Sequence, residues 1–309
     1  MLKQNQTNKS LQSDIIRISY LSGAKIKEKI LYYGFGGGLG HITRFNAFCN
    51  TFSIKPLLMT ALSQTNIHTF AQEILHFSSE QPNNKEILRN WVRKQINETK
   101  PDRLIIDAFP GGILGELTDL PELSNIKQIE YIARILKTDV YKKRINGNLP
   151  KFTKVWQVEE LGKEQNLFLD NLTVANNISI NKLKLNYPVS NADSSINLPP
   201  NCWLIVHSGS DIELQELFNY AQDIAMLENI SPNFVVVGQI QRPEFLPTNI
   251  PYYSVYPVTS LLEKASKVIS GAGFNIMQQM SEMKEKHIVL PFERALDDQF
   301  LRVKLTKSE

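Results

Sequence analysis

The residue best placed to do chemistry in this sequence is His41. It closes the run Gly34-Phe-Gly-Gly-Gly-Leu-Gly-His41, between the apolar stretch 29–33 and a helical pattern from Ile42 to Phe52. Glycines here permit positive φ and close backbone approach to a ligand. A helix start offers unbonded N–H groups to a phosphate. Three readings compete. A nucleoside-triphosphate loop needs Gly-Lys-Ser/Thr, and His41 follows Gly40 instead. A dinucleotide fingerprint needs a third glycine where Leu39 sits, and an acid on the next strand. The third reading gives the histidine its own role, as a general base or as a cap on the helix start.

A second constellation lies near the other end. Ile269 to Met280 reads as strand, Gly271-Ala272-Gly273 turn, then helix. Such a helix start suits a diphosphate without a metal. Past the next strand, Pro291-Phe292 leads to Asp298-Gln299, whose side chains can hydrogen-bond several hydroxyls. Ser208-Gly209-Ser210 closes another strand. The plainer alternative is that these are ordinary turn and cap residues.

Taken together, the two constellations resemble a known family. Gly37-Gly38-Leu39-Gly40-His41-Ile42-Thr43-Arg44 resembles the GGxGHxxR signature that opens GT-B glycosyltransferases. These include the N-acetylglucosaminyltransferases of peptidoglycan-precursor synthesis and the UDP-glycosyltransferases. The segment from Gly271 to Gln299 is similar to their donor-binding half. Asp107 to Leu117 resembles a DxFPxGxxGEL segment of a group of bacterial glycosyltransferases. The resemblance implies an α/β fold of two Rossmann-like, doubly wound domains facing a cleft. It implies inverting, metal-independent transfer of a sugar from a nucleotide diphosphate to a hydroxyl acceptor. A UDP-linked sugar is then the co-substrate, with no cofactor.

The resemblance also assigns residues. His41 is the base or positions the acceptor, and Asp107 orients it or caps its own turn. Gly37, Gly38, Gly40, Arg44 and Glu116 belong to the acceptor side. Ser208, Gly209, Ser210, Gly271, Ala272 and Gly273 take the donor phosphates. Val258 lies near the base, and Asp298 and Gln299 near the sugar. Gln279 stands where the family has a ribose-binding Glu, which costs charge assistance. A nucleotide-sugar hydrolase or 2-epimerase on the same fold, or a non-catalytic binder, are the alternatives.

The surrounding elements must position these groups. Strand and helix patterns alternate twice, separated by an Asn- and Ser-rich stretch that ends in Pro199-Pro200. This divides the 309 residues into a tail (1–28), an acceptor-side domain (29–195) and a donor domain (196–309). Within them, 56–61, 103–107 and 155–158 read as strands and Lys85–Thr99 as a helix. Hydrophobic residues at 42% support packed cores, and a net charge of +3 argues against a dedicated nucleic-acid binder. Cys49 and Cys202 fit reduced thiols and a cytoplasmic location. The polar start and the lack of a long apolar run predict no membrane span. Lys137, Lys142, Lys143, Arg144, Lys151 and Lys154 form a basic face, for contact with an anionic acceptor or the inner face of a membrane, or simply for solvation.

Overall fold

The strand β1 (Ile30–Tyr33) is buried along its whole length. Leu31 and Tyr33 enter one apolar cluster and Ile30 and Tyr32 another, on the opposite face. A strand packed on both faces belongs to the middle of a parallel sheet. This computed structural model describes residues 28–36, 38–62, 70–189, 196–238 and 241–307.

The first sheet has seven strands, all parallel, in the order β3-β2-β1-β4-β5-β6-β7. They are β1, β2 (Leu57–Thr60), β3 (Glu73–His76), β4 (Arg103–Asp107), β5 (Gln128–Ala133), β6 (Lys154–Gln157) and β7 (Ile180–Lys182). Its helices are α1 (Gly40–Phe52), α2 (Lys85–Thr99), α3 (Thr138–Lys142) and α4 (Lys163–Asn176). The helix α2 shows how sequence sets bounds. The Asn84 side chain accepts from the N–H groups of Glu86 and Ile87, Leu88, Val92 and Ile96 bury one face, and Lys100 in the left-handed region precedes Pro101.

The second sheet runs β10-β9-β8-β11-β12, also parallel. Its strands are β8 (Cys202–Val206), β9 (Asn233–Gly238), β10 (Tyr252–Ser254), β11 (Lys267–Gly271) and β12 (His287–Leu290). The helices are α5 (Asp211–Leu227), α6 (Thr259–Lys264), α7 (Phe274–Gln279) and α8 (Gln299–Thr306). The predicted strand positions at β2, β4, β6 and β12 and the helix over 85–99 agree with these elements. Three differ. β3 and β10 carried no readable pattern, and the Asn- and Ser-rich stretch before Pro199-Pro200 is not all linker, because α4 and β7 run through to Lys182.

Both sheets reverse strand order at their first strand, between β1 and β4 and between β8 and β11. Ligand crevices open at the carboxyl ends of such switch points. Here the two switch points face each other. Asn275 Nδ2 donates to Gly40 O at 2.8 Å, which joins the start of α7 to the start of α1. The helix α8 then returns to the first domain, where Leu301 and Leu305 pack against its core. Arg302 pairs there with Glu159 at 2.7 Å. The predicted tail 1–28 falls outside the described residues except for Glu28.

Candidate active site

Between the two switch points lies a cavity of about 340 Å³. On its first-domain wall, α1 carries His41 and Arg44 three residues apart, hence on one face. β4 delivers Asp107 from its carboxyl end. Asp107 is fully buried and accepts three bonds. His41 Nδ1 lies 2.6 Å from Oδ2, Arg44 Nε 2.5 Å from Oδ1, and an Arg44 terminal nitrogen 2.8 Å from Oδ2. Burial alone would raise the Asp107 pKa, but the Arg44 and His41 partners hold it well below the carboxylate range. Burial pushes His41 below its usual pKa, against the pull of Asp107. A lowered pKa favours the neutral ring, and the ionised Asp107, which can only accept, keeps the proton on Nδ1 and leaves Nε2 as the basic atom.

The backbone makes room for this. A Cβ on Gly36 would come within 1.8 Å of His41 Nε2, so only glycine fits there. Ala108 sits in the left-handed region at φ 65°, a conformation costly for a residue with a side chain. The turn it makes sets Phe109 against the His41 ring at 5.7 Å. Arg44 also lies over the Phe274 ring at 5.4 Å, across the cleft.

The second-domain wall is built by the ends of β8 and β11. Ser208, Gly209, Val258, Gly271, Gly273, Gln279 and Gln299 line it. Gly38 and Gly40 line the opposite wall with Arg44. At Gly38, where φ is +88°, and at Gly273 a Cβ would meet nothing within 4 Å, so the cavity reaches the backbone there. The starts of α1 and α7 have no side-chain cap. Gln279 is engaged at both ends. Its Oε1 accepts from Thr259 Oγ1 at 3.1 Å and its Nε2 donates to Asn275 O at 3.3 Å.

Four expected residues stand elsewhere or act differently, and a fifth is not described. Gly37 lies outside the described residues. Glu116 is fully buried in the first-domain core, where it accepts from Tyr33 and from Leu114 N at 2.8 Å. It braces the turn after β4 and does not reach the cleft. Ser210 and Asp298 are helix caps, accepting from Glu213 N at 3.4 Å and Leu301 N at 2.9 Å. Ala272 is fully buried, with its N–H on Gln299 Oε1 at 3.1 Å. The same oxygen accepts from Phe292 N at 2.9 Å, so Gln299 ties the Gly turn to the Pro-Phe loop.

The cavity also holds residues the sequence reading missed. Asp297, one position before the expected Asp298, lines it. Its Oδ1 accepts from Arg134 at 2.6 Å and from Arg302 at 2.7 Å. Arg134 follows β5, and its Nε is buried without a hydrogen-bond partner. A lone arginine after a strand has no motif to mark it. Among the described residues, no group of three His, Cys, Asp or Glu side chains could hold a metal ion.

The comparisons bear on this geometry. No protein-family model matches the chain, and no curated protein matches it in sequence. Solved structures do match. The glycotransferase of kitacinnamycin aligns over 91% of this chain and 84% of its own, at TM-score 0.57 and 12% identity. The Streptomyces sp. SF2575 glycosyltransferase SsfS6, solved with thymidine diphosphate, aligns over 91% and 86%, at 0.56 and 10%. The UDP-N-acetylglucosamine 2-epimerase of Rickettsia bellii aligns over 91% and 88%, at 0.52 and 14%. The chain has the GT-B fold. In GT-B terms, the two sheets are the two Rossmann-like domains and the cavity is the cleft between them. Cys49 and Cys202 are free and buried, and no described helix is long and apolar enough to cross a membrane.

Proposed function

We propose that the protein is an inverting, metal-independent glycosyltransferase that moves a sugar from a nucleotide diphosphate, UDP- or dTDP-linked, to a hydroxyl acceptor. The observation that carries this reading is the His41 ring, held by Asp107 at 2.6 Å, across the cavity from the Gly271–Gly273 turn. His41 Nε2 takes the acceptor proton as the acceptor oxygen attacks the sugar C1. Asp107 keeps the tautomer and stabilises the imidazolium that forms. The uncapped N–H groups at Gly273 and the Ser208-Gly209 loop receive the donor diphosphate, with no cofactor in the reaction. The exposed Lys142, Lys143 and Lys151 suit an anionic acceptor at the inner face of a membrane. Lys137 and Lys154 contribute less to such a face, being turned to Glu293 and to the Trp156 ring.

The test is turnover of a nucleotide-sugar panel with broad acceptors, alongside His41→Ala. Transfer is expected from the native chain, falling about 10²–10⁴-fold in the variant. Full activity in His41→Ala would remove the base. A 2-epimerase or hydrolase is the second reading, supported by the epimerase among the similar structures. Free sugar or its C2 epimer, formed with no acceptor present, would favour it.

A further inference from the structure

The second-domain wall of the cavity holds another histidine bound to a carboxylate, which no part of the reading above uses. His207 follows β8 and lines the cavity beside the Ser208-Gly209 turn. Its Nε2 lies 2.8 Å from Glu213 Oε2, in the first turn of α5. Arg294, from the loop after β12, grips the same carboxylate with both terminal nitrogens, one of them 2.8 Å from Oε2. The ring rests against Phe292 at 5.5 Å. Gly209 has no space for a side chain. A Cβ there would meet Glu213 Oε2 at 2.3 Å and His207 Nε2 at 2.4 Å. The loop is thus shaped around this pair. With Nε2 held, Nδ1 is the ring nitrogen left for a ligand.

We propose that His207 is the acid that hands a proton to the departing diphosphate. This rests on the glycosyl-transfer reading and adds a catalytic residue to it. As the bond between the sugar C1 and the diphosphate oxygen breaks, that oxygen keeps the electron pair and takes the proton from His207 Nδ1. The acceptor oxygen bonds to C1, and its proton passes to His41 Nε2. Turnover leaves His41 charged and His207 neutral, and exchange with solvent restores both.

The charges around His207 fit this cycle. Burial keeps its pKa below the usual value, with Glu213 pulling up and Arg294 pushing down. Those are the charged groups that act on it, from α5 and from the loop after β12. The lowered pKa favours the neutral ring, and the Glu213 carboxylate at 2.8 Å stands ready for its charged form. Anionic diphosphate oxygens beside Nδ1 then tip the balance toward protonation. The nucleotide loads its own acid.

The test reads the ring nitrogens directly, by nuclear magnetic resonance of protein labelled with ¹⁵N in its five histidines. The signal lost in ligand-free His207→Gln identifies His207, so that variant need not bind anything. UDP and dTDP are then titrated into the native chain near pH 7. The His207 nitrogens are expected to move from the neutral to the protonated pattern while His41 stays neutral. His207 staying neutral between about pH 6 and 8, with nucleotide-induced shifts elsewhere, overturns the proposal and leaves the transfer reading standing. No shift in any cavity histidine with either nucleotide counts against nucleotide binding itself, and this inference falls with it.

Discussion

The two walls of the cleft each carry a histidine, a carboxylate and an arginine, in different settings. On the first, His41, Asp107 and Arg44 are 8%, 0% and 3% exposed by side chain. On the second, His207, Glu213 and Arg294 are 8%, 19% and 32% exposed. Each histidine lies against a glycine that admits no Cβ and beside a phenylalanine ring. The carboxylate takes Nδ1 in the first set and Nε2 in the second. Arg44 stands 3.2 Å from His41 Nδ1, which opposes a second positive charge on that ring. Sealed and neutral, the first set suits a base. The second shares its charges with solvent and can take up a proton when an anion arrives. On the proposed reading, one arrangement, with its carboxylate and arginine buried to different depths, serves opposite halves of a proton transfer.

Four substitutions would break or sharpen that contrast. Asp107→Ala strands a buried arginine without its partner, and urea unfolding should show a loss of about 3–5 kcal/mol. Gly36→Ala drives a methyl into a His41 ring pinned by Asp107 and Phe109. It should lower stability by about 1–3 kcal/mol and abolish turnover, with nucleotide binding retained.

The third concerns Asp297, which joins the two walls. Burial alone would raise its carboxyl, but Arg134 and Arg302 lower it to about 2, against about 3.9 in the unfolded chain. Its folded pKa is depressed, so its contribution is whole above about pH 4 and is lost as the pH falls toward 2. The amount is about 2.6 kcal/mol at most. Acid unfolding of Asp297→Asn against the native chain measures it, and equal pH dependence would contradict the pairing. Smallest should be Gly209→Ala, at about 1 kcal/mol, because the Glu213 carboxylate and the His207 ring must shift but Glu213, at 19% exposure, can yield where Asp107 cannot. A loss as large as that of Gly36→Ala would show both sets equally rigid.

How far the sequence spoke follows from local signals. The helix Lys85–Thr99 was legible because Asn84 caps it, Pro101 stops it and its apolar residues recur at helical spacing. β1, β4, β8 and β11 were legible as apolar runs ending at Gly, Ser or Asp. β3 was not, since its Glu73 and His76 are exposed and it lies at the sheet edge. β10 is three residues between prolines. At the site, His41 and Asp107 stood out by motif and come together at 2.6 Å. Choosing Asp298 over Asp297 was a one-residue matter of loop direction, which no periodicity reports. Glu116 was set on the acceptor side by resemblance alone, and a motif does not report depth. Instead the turn folds over it, where Gly112 leaves no room for a Cβ beside its carboxyl. Arg134 and the Glu213–Arg294 pair depend on contacts between distant segments, 163 and 81 residues apart.

The central claim is that His41 is a neutral base set against a nucleotide-binding wall. The pH dependence of kcat/KM for transfer from the donor found in the panel tests it most directly. With a lowered pKa, His41 should give an acid limb in which the rate falls tenfold per pH unit, set lower in pH than an ordinary histidine would give. His41→Ala should lose both the limb and most of the rate while still binding UDP or dTDP. A variant with the native rate and the same acid limb would contradict the account.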